Sequence, residues 1–129
     1  MKQNRNSKKG RGGLKRVLNA LFYSRDGFLS AWIDEAAFRQ VFILAIFCIF
    51  GTFFISSSWE DRMLLIIPPV LSVVVELINT AIENAIDFTS LKSHPLAKKA
   101  KDMGSTAQFV VLVFWVCVWG SFLWCKYVV

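Results

Sequence analysis

Three apolar runs, each about as long as a helix needs to cross hydrocarbon, leave this chain few folds. They cover residues 38–58, 63–86 and 106–129. None of them alternates polar with apolar residues, as the much shorter strands of a membrane barrel do. Backbone groups in lipid must find their partners within the same segment, so each run is expected to be a helix. With 129 residues, 55% of them hydrophobic, the chain has too little polar surface for a small soluble domain. The expected fold is all-α and integral to a membrane: three transmembrane helices, preceded by an amphipathic surface helix over residues 14–35 and a basic tail over residues 1–13.

Charge orients the spans. Lys2, Arg5, Lys8, Lys9, Arg11, Lys15, Arg16 and Arg25 precede the first acid, Asp26. Lys92, Lys98, Lys99 and Lys101 lie between the second and third runs, whereas Arg62 is the lone cation between the first and second. Lysine and arginine accumulate on the cytoplasmic side. The N-terminus and the second loop are therefore expected inside, and the C-terminus outside. The N-terminal segment has no short apolar core and no small-residue cleavage site, so it does not read as a cleavable signal peptide. Leu14, Val17, Leu18, Leu21 and Phe22 follow helical spacing, the pattern of a helix lying on anionic lipid. Gly27 is expected to break or bend that helix. Phe28, Leu29, Trp32 and Ile33 resume the apolar face beyond it. Pro68-Pro69 is expected to kink the second span. Cys48, Cys117 and Cys125 all fall in spans and read as packing residues.

The chemistry is concentrated in VVVELINTAIENAID. Glu76, Asn79, Glu83 and Asp87 follow one another by three, four and four residues, which puts them on one helix face with Thr80. An ionised acid at the bilayer centre costs roughly 2.5–3.5 kcal/mol or more, so this stripe must face helices, a cation or water. Glue between helices would account for Asn79 but accounts poorly for two glutamates. At the same membrane edge, Glu35 and Arg39 are four apart, a spacing that allows a pair on one helix face. Lys98, Lys101, Asp102 and Ser105 share a face ahead of the third run. His94 before Pro95 reads as a loop residue. Carboxylates able to hold Mg²⁺ thus meet a lysine able to hold phosphate, the main parts that phosphoryl transfer needs. A cation path through the membrane would also use buried acids, but would gain nothing from Lys101. No phosphate-binding loop of a soluble kinase is present. The basic residues lack the setting of a nucleic-acid-binding fold.

AWIDEAAFRQ, VELINTAIENAID and AKDMGS, in this order and spacing, resemble the prokaryotic integral-membrane diacylglycerol kinase family over residues 14–124. The resemblance implies a homotrimer in the cell (inner) membrane, with active sites shared between subunits. It implies transfer of the γ-phosphoryl of MgATP to the hydroxyl of diacylglycerol. By the same resemblance Glu76 corresponds to the general base, and Glu35 and Glu83 to the Mg²⁺ ligands. Asn79 then lies near the transferred phosphate, Lys101 on the ATP phosphates, and Asp102 beside it. Arg16 and Asp87 belong to the nucleotide side. Val41 stands where well-known members carry an acid, and Asn19 and Asp26 stand where many carry a base. The family also contains undecaprenol kinases, which remain the alternative for the acceptor; DEAAFRQ and AKDMGS look more like the diacylglycerol branch.

Overall fold

The computed structural model describes residues 13–89 and 94–129. Most of the basic tail and Lys92 lie outside the described residues. Four helices follow one another: α1 (Gly13–Asp34), α2 (Ala36–Ile55), α3 (Trp59–Thr89) and α4 (Pro95–Tyr127). The last three are long and apolar enough to cross a membrane. With 31 and 33 residues, α3 and α4 are about 46 and 50 Å long, against roughly 30 Å of hydrocarbon. Their polar ends therefore extend past the apolar layer, and those ends carry most of the candidate residues.

Local chemistry sets the helix ends. Ser58 Oγ accepts the Asp61 amide (3.1 Å), and Glu60 and Asp61 sit in the first turn of α3, where the helix dipole favours acids. His94 is the N-cap of α4: its Nδ1 accepts the Leu96 amide (3.2 Å), and Pro95 follows at a position where no amide is needed. At the far end Lys126 donates to the Ile55 carbonyl near the end of α2.

α3 is the middle element, packed against α2 on one side and α4 on the other. Its buried residues, Leu65, Pro68, Pro69, Ser72, Glu76 and Thr80, make one stripe at helical spacing. The helix runs through both prolines without a break. Pro69 has no amide to give to the Leu65 carbonyl one turn back. Trp119 of α4 fills that role, its indole N–H donating to Leu65 O at 3.0 Å. A neighbouring helix thus supplies the hydrogen bond that the proline removes, which is how a membrane helix tolerates proline.

Neither a break at Gly27 nor the Glu35–Arg39 pair that the spacing allowed is present. Gly27 does not interrupt the helix, which is continuous from Gly13 to Asp34. One glycine costs only about 1 kcal/mol of helix propensity, too little to end a helix whose next turn packs. That packing is aromatic: Phe28 meets Phe38 and Phe42 edge-on at 5.5 and 5.2 Å, and Trp32 meets Phe42 at 5.8 Å. Leu29 and Ile33 stay exposed. Nor does Arg39 pair with Glu35. Its guanidinium donates to the carbonyls of Trp32 (2.7 Å) and Ile33 (2.9 Å), at the C-terminus of α1. Those carbonyls have no helical partner and carry the negative end of the helix dipole, so they outcompete a lone carboxylate for the cation.

Candidate functional site

α3 carries the centre of the site. Glu76 is 5% exposed, in the middle of the buried stripe. One turn toward the C-terminal end of α3, Thr80 is also buried. Asn79 donates from Nδ2 to Glu83 Oε1 at 3.3 Å, which orients both side chains. The Asn79 amide lies directly against Gly104 of α4, where a Cβ would collide with it. With Asn79 in this position, glycine in AKDMGS admits the close approach of α4 to the acidic face of α3, and a larger residue would have to displace the Asn79 side chain. Asn79 Oδ1 is buried there without a hydrogen-bond partner.

Glu35 is the single non-helical residue between α1 and α2, with extended backbone (φ −113°, ψ 107°) and no capping bond from its side chain. With Arg39 engaged elsewhere, its carboxylate makes no ion pair with another described residue. The negative charges of Glu83 and Glu35 both reach Glu76, so three carboxylates from two parts of the chain converge on one region. No group of three or more metal-ligating side chains is assembled among the described residues. Two carboxylates are nonetheless the protein share usual for a Mg²⁺ held with nucleotide phosphates, and hard oxygen donors suit it.

The basic side of the site lies in the polar turns of α4 ahead of its apolar run. Lys101 donates to Asp87 Oδ1 at 2.6 Å, tying the start of α4 to the end of α3. That hydrogen bond holds the Lys101 ammonium above the ordinary lysine pKa, with a further pull from the Asp87 and Glu83 charges. Lys101 therefore stays cationic and sits within electrostatic reach of Glu83. Lys98 pairs with Asp102 at 2.7 Å along one face of α4, both well exposed. Arg16 stays apart: it is exposed near the start of α1 and makes no ion pair with another described residue.

A cleft of about 500 Å³ opens between α1 and α3. Phe28, Ala31, Leu77 and Ala81 give it apolar wall; Ser24, Ser30, Thr80 and Asn84 give it hydroxyl and amide groups. Thr80, which lines the cleft, belongs to the same buried stripe as Glu76, one turn away.

Sequence reading did not single out Ser72 or Gln108, which form a buried hydrogen bond from Gln108 Nε2 to Ser72 Oγ at 2.9 Å between α3 and α4. The available signal was weak: each is a lone polar residue inside an apolar run, and Ser72 lies one turn from Glu76 on the same face.

A family model described as prokaryotic diacylglycerol kinase matches residues 22–123. The chain is similar to a diacylglycerol kinase of Helicobacter pylori, 55% identical over 89% of this chain and 90% of the relative. It is similar to one of Pseudomonas aeruginosa, 49% identical over 89% and 94%. It is also similar to one of Escherichia coli K12, 36% identical over 87% and 92%.

Proposed function

This chain belongs to the prokaryotic diacylglycerol kinase family, an ATP-dependent lipid kinase of the membrane, and we propose that its site uses Glu76 as base between a lipid alcohol and MgATP. The observation that carries this reading is the buried Glu76 carboxylate, on the same helix face as Asn79 and Glu83 and one turn from Thr80, which lines the α1–α3 cleft. A carboxylate so shielded serves no surface purpose, and buried acids within membranes mark functional sites.

In this reading diacylglycerol lays its apolar part along Phe28, Ala31 and Leu77 and presents its free hydroxyl toward Glu76. Glu76 takes the hydroxyl proton as the oxygen bonds to the γ-phosphorus and the bond to ADP breaks. Asn79 lies beside the transferred group, and its unpartnered Oδ1 is oriented by the Glu83 contact. Lys101 holds the nucleotide phosphates, releasing Asp87 to do so, with Asp102 next to it and Arg16 on the nucleotide side. Glu35 and Glu83 would hold Mg²⁺. The metal, when bound, neutralises charge on the phosphates and orients them.

The proposed assembly is a homotrimer with sites shared between subunits, one kinase domain over residues 1–129. Phe47, Phe54 and Val116 are 71, 87 and 72% exposed on the single chain, surface that lipid or neighbouring subunits must cover. α1 would lie on the cytoplasmic face of the inner membrane, with the C-terminus on the other side. Its exposed Val17, Leu18, Leu21 and Phe22 supply the apolar contact, and Lys15 meets anionic headgroups.

The test is a reconstituted assay. Purified protein in mixed micelles with MgATP is given diacylglycerol or undecaprenol separately. Phosphorylation of diacylglycerol well above undecaprenol is expected. Preference for undecaprenol would move the chain to the polyprenol branch, and phosphorylation of neither would overturn the reading.

A further inference from the structure

Gln108 is polar, 7% exposed and set in the apolar run of α4. Its Nε2 donates to Ser72 Oγ, and its Oε1 is buried with no hydrogen-bond partner. A pair that only held α3 to α4 would serve better if apolar, because a bare amide oxygen in a dry interface is destabilising.

The surroundings say what that oxygen faces. α3 and α4 run antiparallel: Asn79 meets Gly104, Ser72 meets Gln108, and Leu65 meets Trp119. Glu76 lies on α3 between the first two of these contacts, on the same buried stripe as Ser72. It is therefore level with the turn of α4 that runs from Gly104 to Gln108. Side chains on a helix lean toward its N-terminus, which carries the free end of Gln108 from its own level toward that of Glu76. Glu76 in turn accepts no hydrogen bond from a described side chain of α4; the charges that reach it come from Glu83 on its own helix and Glu35 ahead of α2. Two polar groups without partners thus share one level of one interface.

We propose that Gln108, seated on Ser72, is a positioning residue for Glu76, holding its carboxyl group in both protonation states. This rests on the reading of Glu76 as base. Once Glu76 has taken the acceptor proton, its O–H donates to Gln108 Oε1. When Glu76 is ionised, the amide turns over and its NH₂ group donates to the carboxylate. Ser72 permits the reversal because a hydroxyl accepts in the first arrangement and donates in the second. No proton passes through the amide; only hydrogen bonds are exchanged.

The experiment combines Gln108→Met, which keeps length and apolar volume, with Glu76→Gln. Turnover is measured in micelles with MgATP and diacylglycerol, together with KM for both substrates. Gln108→Met is expected to lower kcat about 10-fold with little change in either KM, the pattern of an interaction made during the reaction. In the Glu76→Gln background the same substitution should change the residual rate less than about 2-fold, because the group it positions is gone. Ser72→Ala, a smaller lesion, should repeat the pattern at about 3-fold. Equal losses in both backgrounds, a change confined to KM, or failure of both variants to assemble would each make the pair structural and overturn the inference. If Glu76→Gln alone keeps most activity, the base reading itself has failed, a separate result.

Discussion

Trp119 compensates for a hydrogen bond that Pro69 cannot make, and the size of that compensation is measurable. In the native chain Trp119 Nε1 donates to the Leu65 carbonyl at 3.0 Å, where Pro69 has no amide to offer. Trp119→Phe removes the donor and leaves a carbonyl of the fully buried Leu65 bare, a cost of roughly 1–3 kcal/mol on top of the lost ring volume. Pro69→Ala restores a backbone amide aimed at the same oxygen. In that background Trp119→Phe should lose only the ring-volume part. The coupling between the two positions is therefore expected at about 1 kcal/mol, inside the range of interhelical hydrogen bonds measured within membranes. The assay is reversible unfolding of the four proteins in mixed micelles, followed by far-ultraviolet circular dichroism so that loss of a tryptophan does not remove the signal. Protein concentration must be held constant, since the proposed subunit association would add to apparent stability. Additivity within about 0.3 kcal/mol would refute the argument that Trp119 stands in for the missing amide.

Glu76→Gln keeps the shape of the side chain, so assembly and MgATP binding should persist while kcat falls by roughly 10²–10⁴-fold; a variant retaining most of its turnover would reduce Glu76 to interhelical glue. Glu35→Gln and Glu83→Gln should each lose about 100-fold or more in turnover, partly recovered at raised Mg²⁺, and near-normal rates at ordinary Mg²⁺ would remove that residue from the metal. Lys101→Ala should weaken MgATP use strongly, whereas Asp87→Asn, which breaks only an exposed pair, should change KM for MgATP by no more than about 5-fold; equal effects would mean that the ion pair and not the phosphate contact matters. Single cysteines placed by Ser93→Cys and Glu60→Cys in a cysteine-free background should react with an impermeant reagent on intact cells only at position 60, and the reverse would invert the topology.

The number of spans and the acidic face of α3 were legible in the amino-acid order because both are local. In hydrocarbon a helix satisfies its own backbone, so run length alone sets the spans. Spacing by three and four puts Glu76, Asn79 and Glu83 on one side whatever lies opposite. What lies opposite depends on how α4 is set against α3 along their length, and no local rule supplies that register. Only the packed helices reveal that Gly104 admits Asn79, that Lys101 reaches Asp87, that Gln108 reaches Ser72 and that Trp119 replaces the amide missing at Pro69. Arg39 marks the boundary between the two kinds of knowledge. Its sequence neighbour at four residues is Glu35, but the chain turns at Glu35 and brings the end of α1 within reach, and the free carbonyls of Trp32 and Ile33 take the guanidinium. The local rule assumed one continuous helix; the turn between α1 and α2, made by packing Phe28 and Trp32 on Phe38 and Phe42, offered Arg39 carbonyl partners that spacing along the chain does not reveal.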